Sequence, residues 1–154
     1  MSLLKINSIR QHIIEWRKNN TNIVFTNGCF DLLHQGHLDL LSKASTYGDI
    51  LIVGLNSDSS VRKIKGKERP FENEKVRSNN LLKLKYVNYV IIFNSETPRD
   101  LIKTIMPNVL VKGGDYNNTN IVGAKEVISN GGKVEIIPLT EGYSTSTIIK
   151  LQKR

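Results

Sequence analysis

The sequence predicts a doubly wound α/β fold: a five-stranded parallel sheet, in the order 3-2-1-4-5, with helices on both faces. Two observations lead there. Short apolar runs rich in Val, Ile and Leu alternate with amphipathic stretches of helical period, the pattern of repeated βαβ units. The runs are also largely unalternated, as strands buried on both faces require. With 154 residues, the chain is expected to form one domain over 1–154 and to bury most of its apolar surface without staples.

Taken in order, an N-terminal helical extension is expected over 1–20, its helix near 8–18 with Ser8 at the cap position. Strands follow near 22–26, 50–56, 89–93, 109–111 and 133–137. Helices are expected near 35–47, 73–84, 98–105, 123–130 and 144–151. Residues 57–71 are polar and basic, without helical or strand period, and read as a mobile basic loop. A loop of that size in a compact domain is usually a lid or binding loop, or else disordered. Lys112, Gly113 and Gly114 directly follow a strand, at the sheet edge where such folds bind ligands.

Composition narrows the function classes. One cysteine rules out an internal disulfide and fits a reducing compartment. No apolar stretch has the length of a membrane span, and the N-terminus lacks the apolar core of a signal peptide, so a cytoplasmic location is expected. The net charge of +8 fits nucleic acid, an anionic membrane surface or polyanionic small substrates. Aromatics make up only 6% of the chain and do not interleave with the basic run, which does not support a stacking platform for single strands. Phosphate-bearing metabolites are the simpler explanation.

The chemistry is concentrated between Asn27 and His37. Here Asn27-Gly28-Cys29-Phe30-Asp31 leads into His34-Gln35-Gly36-His37, at the junction of an apolar strand and an amphipathic helix. A helix start after a strand offers free N–H groups and a positive dipole end to a phosphate. Two imidazoles three residues apart add donors for charge building on phosphorus. The pattern reads as nucleotidyl transfer. A pair of histidines capping a helix is the plainer alternative, and the third histidine, His12, lies far from any metal-ligand spacing.

This stretch resembles the H-x-G-H signature of the cytidylyltransferase-like nucleotidyltransferases, which have a Rossmann-like fold. Further likeness runs through Lys63 and Lys65, Arg69-Pro70, Arg77, Val111-Lys112-Gly113-Gly114-Asp115-Tyr116, Lys125-Glu126-Val127 and Ser144-Thr145-Ser146-Thr147. The Gly-Gly-Asp-Tyr block is most like the adenylyltransferases of ADP-heptose biosynthesis, and the chain length matches their stand-alone form. The resemblance implies transfer of AMP from ATP to D-glycero-D-manno-heptose 1-phosphate, for lipopolysaccharide or another surface glycan. It implies Mg2+ with the ATP, no metal ligands from protein, and a homodimer, with neither nucleic acid nor membrane as partner.

Residue by residue, the resemblance gives His34, His37 and Lys65 catalytic roles. It gives nucleotide contacts to Asn27, Gly28, Cys29, Phe30, Lys112, Gly113, Gly114, Ser144, Thr145, Ser146 and Thr147. Asp31, Lys63, Arg77 and Asp115 fall to the sugar phosphate side with Lys65. Each has a plainer reading: Ser144 to Thr147 suit a helix cap, the lysines a solvated face, Arg77 an exposed helical site. Cys29 reads as a small space-filling residue. Leu139 stands where the related glycerol-phosphate cytidylyltransferases carry an arginine, which favours ATP over CTP. The rival readings are such a cytidylyltransferase and a non-catalytic nucleic-acid-binding module, whose binding would fall steeply with salt.

Overall fold

The strands form where β-branched residues cluster. Ile23–Gly28 (β2), Ile50–Asn56 (β3), Tyr89–Phe93 (β4), Val109–Gly113 (β5) and Lys133–Ile137 (β6) fall on the five apolar runs. In the computed structural model, which describes residues 2–114 and 121–138, every strand pair is parallel. Among the described residues the sheet has six strands rather than five: with Ser2–Leu4 as β1, the order is β1-β4-β3-β2-β5-β6. The addition is β1, which pairs with β4 at the sheet edge. Only Leu4 of its three residues is buried, so no apolar run announces it. Backbone pairing with β4 supplies what side-chain pattern does not.

Helices alternate with the strands: Ile9–Lys18 (α1), Gln35–Ser45 (α2), Asp58–Lys65 (α3), Glu74–Leu82 (α4), Arg99–Ile105 (α5) and Ala124–Ser129 (α6). Each strand's pleat sends successive residues to opposite faces, which divides the core in two. One cluster joins Ile23, Phe25, Ile52 and Leu110 to Ile9, Trp16, Ile102 and Val127 of α1, α5 and α6. The other joins Val24, Leu51, Val53 and Val111 to Leu41, Ala44 and Leu81 of α2 and α4. Both faces are therefore covered, and the strand ends are left for function.

Two local expectations need correction. Ser8 occupies the cap position of α1, but its hydroxyl donates to the Lys5 carbonyl (3.0 Å) and caps no helical amide. Much of the basic segment 57–71, read as an irregular loop, is helix α3. The Ser57 hydroxyl accepts the Ser60 amide at its start, and Ser60 and Val61 are buried. Two turns with so few apolar positions carry no readable period. The expected helix near 144–151 lies outside the described residues.

Candidate active site

The carboxyl ends of β2, β3 and β5 and the segment after β4 surround a cleft of about 490 Å³. Its lining includes Asn27 and Gly28 at the end of β2, Cys29, Phe30 and Asp31 just after it, Asn56 at the end of β3, Glu96 after β4, and Lys112 and Gly113 at the end of β5. Lys65 from α3, Arg69 and His37 complete its polar wall. A parallel sheet opens its crevice at this edge.

The turn after β2 is strained in a useful place. Phe30 and Leu32 have φ of 46° and 57°, in the left-handed region that costs a non-glycine residue about 1 kcal/mol or more. Between them Asp31 points inward and is 1% exposed. Its carboxylate accepts the Phe71 amide (2.8 Å), the Glu72 amide (3.0 Å) and Arg69 Nε (3.1 Å). Glu72 returns the contact by accepting the Leu32 amide at 3.0 Å. The turn and the segment after α3 are thus clamped together. At Gly28 a Cβ would stand 3.0 Å from the Phe30 ring, tighter than side chains tolerate without a shift. Glycine lets that ring close over the strand end.

His34 and His37 begin α2 by capping it reciprocally. His34 Nδ1 accepts the Gly36 amide at 3.1 Å, and His37 Nδ1 accepts the His34 amide at 3.3 Å. The rings stack with centroids 3.8 Å apart, and Phe30 meets His37 edge-on at 5.4 Å. With Nδ1 an acceptor, the proton of each neutral imidazole belongs on Nε2, which makes that atom a donor. Burial, then neighbouring His34, lowers His37 to about 4, against an opposing pull from Asp31. Burial also lowers His34. At neutral pH both rings are uncharged N–H donors.

Lys112 brings a cation to the opposite wall. Its ammonium bonds the Asn27 side-chain carbonyl, and burial lowers its pKa to about 8. Burial pushes the Cys29 thiol up, outweighing the neighbouring cations, so the thiol is no ready nucleophile. Neutral donors, a helix N-terminus and three cationic side chains in one cleft suit phosphate esters.

The comparisons with known proteins agree with this chemistry. The cytidylyltransferase-like family profile matches residues 25–151. The chain belongs to the cytidylyltransferase-like family. Among curated relatives of this family member are bifunctional HldE proteins. That of Koribacter versatilis (strain Ellin345) is 50% identical over 138 residues, covering 90% of this chain and 28% of the relative. That of Geotalea uraniireducens (strain Rf4) is 54% identical over 128 residues, covering 83% and 26%. The chain spans between a quarter and a third of the length of such relatives. Among solved structures, the lipopolysaccharide core biosynthesis protein from Thermoplasma volcanium GSS1 matches with a TM-score of 0.64 and 25% identity. That match covers 80% of this chain and 99% of the other.

Of the residues that the sequence pointed to in this family member, Asn27, Gly28, Cys29, Phe30, Asp31, His37, Lys65, Lys112 and Gly113 line one cleft. His34 stacks on His37 beside it. Gly114, with φ 101°, turns the chain after β5, and its amide donates to the Ile137 carbonyl at 3.0 Å. Asp115, Ser144, Thr145, Ser146 and Thr147 lie outside the described residues.

Three expectations change. Lys63 is exposed and absent from the cleft wall that Lys65 joins, because residues two apart on a helix face different ways. Arg77 is 0% exposed rather than a surface phosphate ligand. Its Nη1 donates to the carbonyls of Cys29 and Asn56, its Nε to that of Glu72, and its Nη2 to Asp58, each at 2.8 Å. It ties the β2 turn to the β3 end and α4. Asp31, expected on the sugar phosphate side, lines the cleft but bonds the 69–72 segment through both carboxylate oxygens. Arg69, Glu96 and Asn56 also line the cleft; sequence alone assigns them no individual role, although Arg69-Pro70 carries part of the family likeness. Arg69 hides within a basic run, while Asn56 and Glu96 are marked only by their places at the end of β3 and after β4.

Proposed function

We propose that this chain transfers the adenylyl group of ATP to D-glycero-D-manno-heptose 1-phosphate, giving ADP-heptose and pyrophosphate for lipopolysaccharide or another surface glycan. The observation that carries the reading is the pair of mutually capped histidines at the mouth of a cation-lined cleft. Identity near 50% with bifunctional HldE proteins and the likeness to a lipopolysaccharide core biosynthesis protein support the choice of sugar.

A phosphate oxygen of the sugar 1-phosphate attacks the α-phosphorus of ATP, the new P–O bond forms, and the bond to the β-phosphate oxygen breaks. The acceptor is already ionised, so no side chain has to remove a proton from it. The work left to protein is alignment and charge stabilisation. The Nε2–H groups of His34 and His37 donate to the phosphate oxygens as negative charge builds, without the reorganisation that water would need. The α2 N-terminus and the backbone after β2 cradle the phosphates. Lys112 holds the nucleotide from the β5 side, and Lys65 brings a movable point charge from α3. Ser144 to Thr147 are expected to add contacts to the β- and γ-phosphates. Magnesium, bound to the triphosphate oxygens, would neutralise charge on the leaving pyrophosphate. Among the described residues no three His, Cys, Asp or Glu side chains cluster to hold a metal, whereas the cationic cleft suits the phosphates that would carry one.

Pyrophosphate release tests the reading when ATP and CTP are each crossed with heptose 1-phosphate and glycerol 3-phosphate. Turnover confined to ATP with heptose 1-phosphate is expected. Turnover with CTP and glycerol 3-phosphate would keep the chemistry and overturn the substrates.

A further inference from the structure

Two arginines flank the same turn and are used in opposite ways. Arg77 is wholly enclosed, and its Nε, Nη1 and Nη2 all donate to protein oxygens. Arg69 lines the cleft, with its side chain 14% exposed. Its Nε donates to Asp31, while among the described residues Nη1 and Nη2 take no protein acceptor. An arginine present only to neutralise Asp31 would present its fork, with two parallel N–H···O bonds. Here the carboxylate takes a single side-on bond, and the amides of Phe71 and Glu72 occupy it as well. The guanidinium carbon lies over the Phe71 ring, 5.1 Å from its centroid, in a cation–π contact. The result is a cation held from one side by a buried carboxylate and steadied by an aromatic ring, with its bidentate edge left for a ligand.

We propose that Arg69 is the acceptor-phosphate ligand of this cleft, gripping a dianionic sugar phosphate monoester through Nη1 and Nη2 while Asp31 and Phe71 hold the fork in place. The assignment rests on the adenylyltransferase reading for the sugar, and on geometry alone for the phosphate. Two anionic substrates have to meet, so each needs its own positive partner. The histidines and the α2 N-terminus serve one. Arg69, on the segment after α3 and beside Lys65, serves the other. Asp31 is then a positioning residue: it sets the angle at which the acceptor oxygen faces phosphorus.

The test is calorimetric titration of inorganic phosphate and of heptose 1-phosphate into protein saturated with a non-hydrolysable ATP analogue. Saturation keeps both probes out of the triphosphate site. Wild type is compared with Arg69→Lys, which keeps a charge toward Asp31, and with Arg69→Gln, both checked for an intact thermal transition. Loss of the charged fork should weaken both probes by about 10- to 100-fold and leave the analogue's affinity within about twofold. Asp31→Asn should raise KM for the acceptor and lower kcat while the KM for ATP holds, a split that a merely structural contact would not give. Equal loss of analogue binding, or undiminished phosphate binding in either Arg69 variant, would overturn the assignment. So would a wild type that binds neither probe. Phosphate binding that depends on Arg69 without any binding of heptose 1-phosphate would keep the subsite and overturn the sugar.

Discussion

His34 Nδ1 accepts the Gly36 amide at 3.1 Å while His37 Nδ1 accepts the His34 amide at 3.3 Å, so each imidazole is locked by the helix it helps to start. The backbone sets the tautomer, and the tautomer makes Nε2 the donor. Capping and catalysis are therefore two ends of the same ring, and they are separable.

Asparagine at position 34 should separate them. Asn is among the best N-cap residues, so His34→Asn should keep the unfolding free energy from urea titration within about 0.5 kcal/mol of wild type. Its carboxamide does not reach where Nε2 does, and kcat should fall by about 100- to 1000-fold. Retained activity in a stably folded His34→Asn protein would remove His34 from the reaction.

The buried ring of His37 should titrate far below an ordinary histidine. Its folded pKa is about 4 against 6.5 unfolded, so the unfolded chain binds the extra proton between those values. Stability from this group is therefore present above about pH 6.5 and is lost as pH falls toward about 4. NMR of the ring protons should show no inflection for His37 near pH 6.5, and His37→Gln should flatten the fall in stability between pH 6.5 and 4. A midpoint at 6.5 would mean that the ring is solvated.

Lys112 gives a signature on the alkaline side. With a pKa near 8, it is partly neutral at that pH in the free protein, and a bound triphosphate favours its charged form. ATP binding at pH 8 should therefore draw a fraction of a proton from solution, and at pH 6.5 almost none. Calorimetry in buffers of different ionisation enthalpy reads that number directly. Lys112→Arg should abolish the uptake, because an arginine stays charged throughout.

Arg77 is a matter of folding rather than ligand binding. Arg77→Ala leaves the Asp58 carboxylate and the carbonyls of Cys29, Asn56 and Glu72 without their donor. The loss should be about 3–5 kcal/mol in urea unfolding. Arg77→Lys should recover only part of it, since one ammonium does not span those acceptors. A variant as stable as wild type but deficient in acceptor binding would return Arg77 to the site.

Much of this arrangement is legible in sequence because its signals are local. The β-branched runs at Ile23, Ile50, Tyr89, Val109 and Lys133 mark their own strands, and His34, Gly36 and His37 mark a helix start. What escaped depends on partners distant along the chain. Strand β1 exists through its pairing with β4, and α3 through a serine cap and two buried residues. The resemblance puts Arg77 on the sugar phosphate and gives Arg69 no role; their environments follow from Asp31 on one side and four protein oxygens on the other. Lys63 and Lys65 look equivalent in a loop and become unlike once the segment is helical.

The most direct measurement is mass spectrometry of the product formed by purified protein from ATP, magnesium and heptose 1-phosphate, alongside His37→Ala. The account predicts a nucleoside diphosphate sugar carrying adenosine, formed in step with one pyrophosphate and nearly absent in the variant. ADP or AMP released without a sugar conjugate, or conjugate formed equally well without His37, would contradict it.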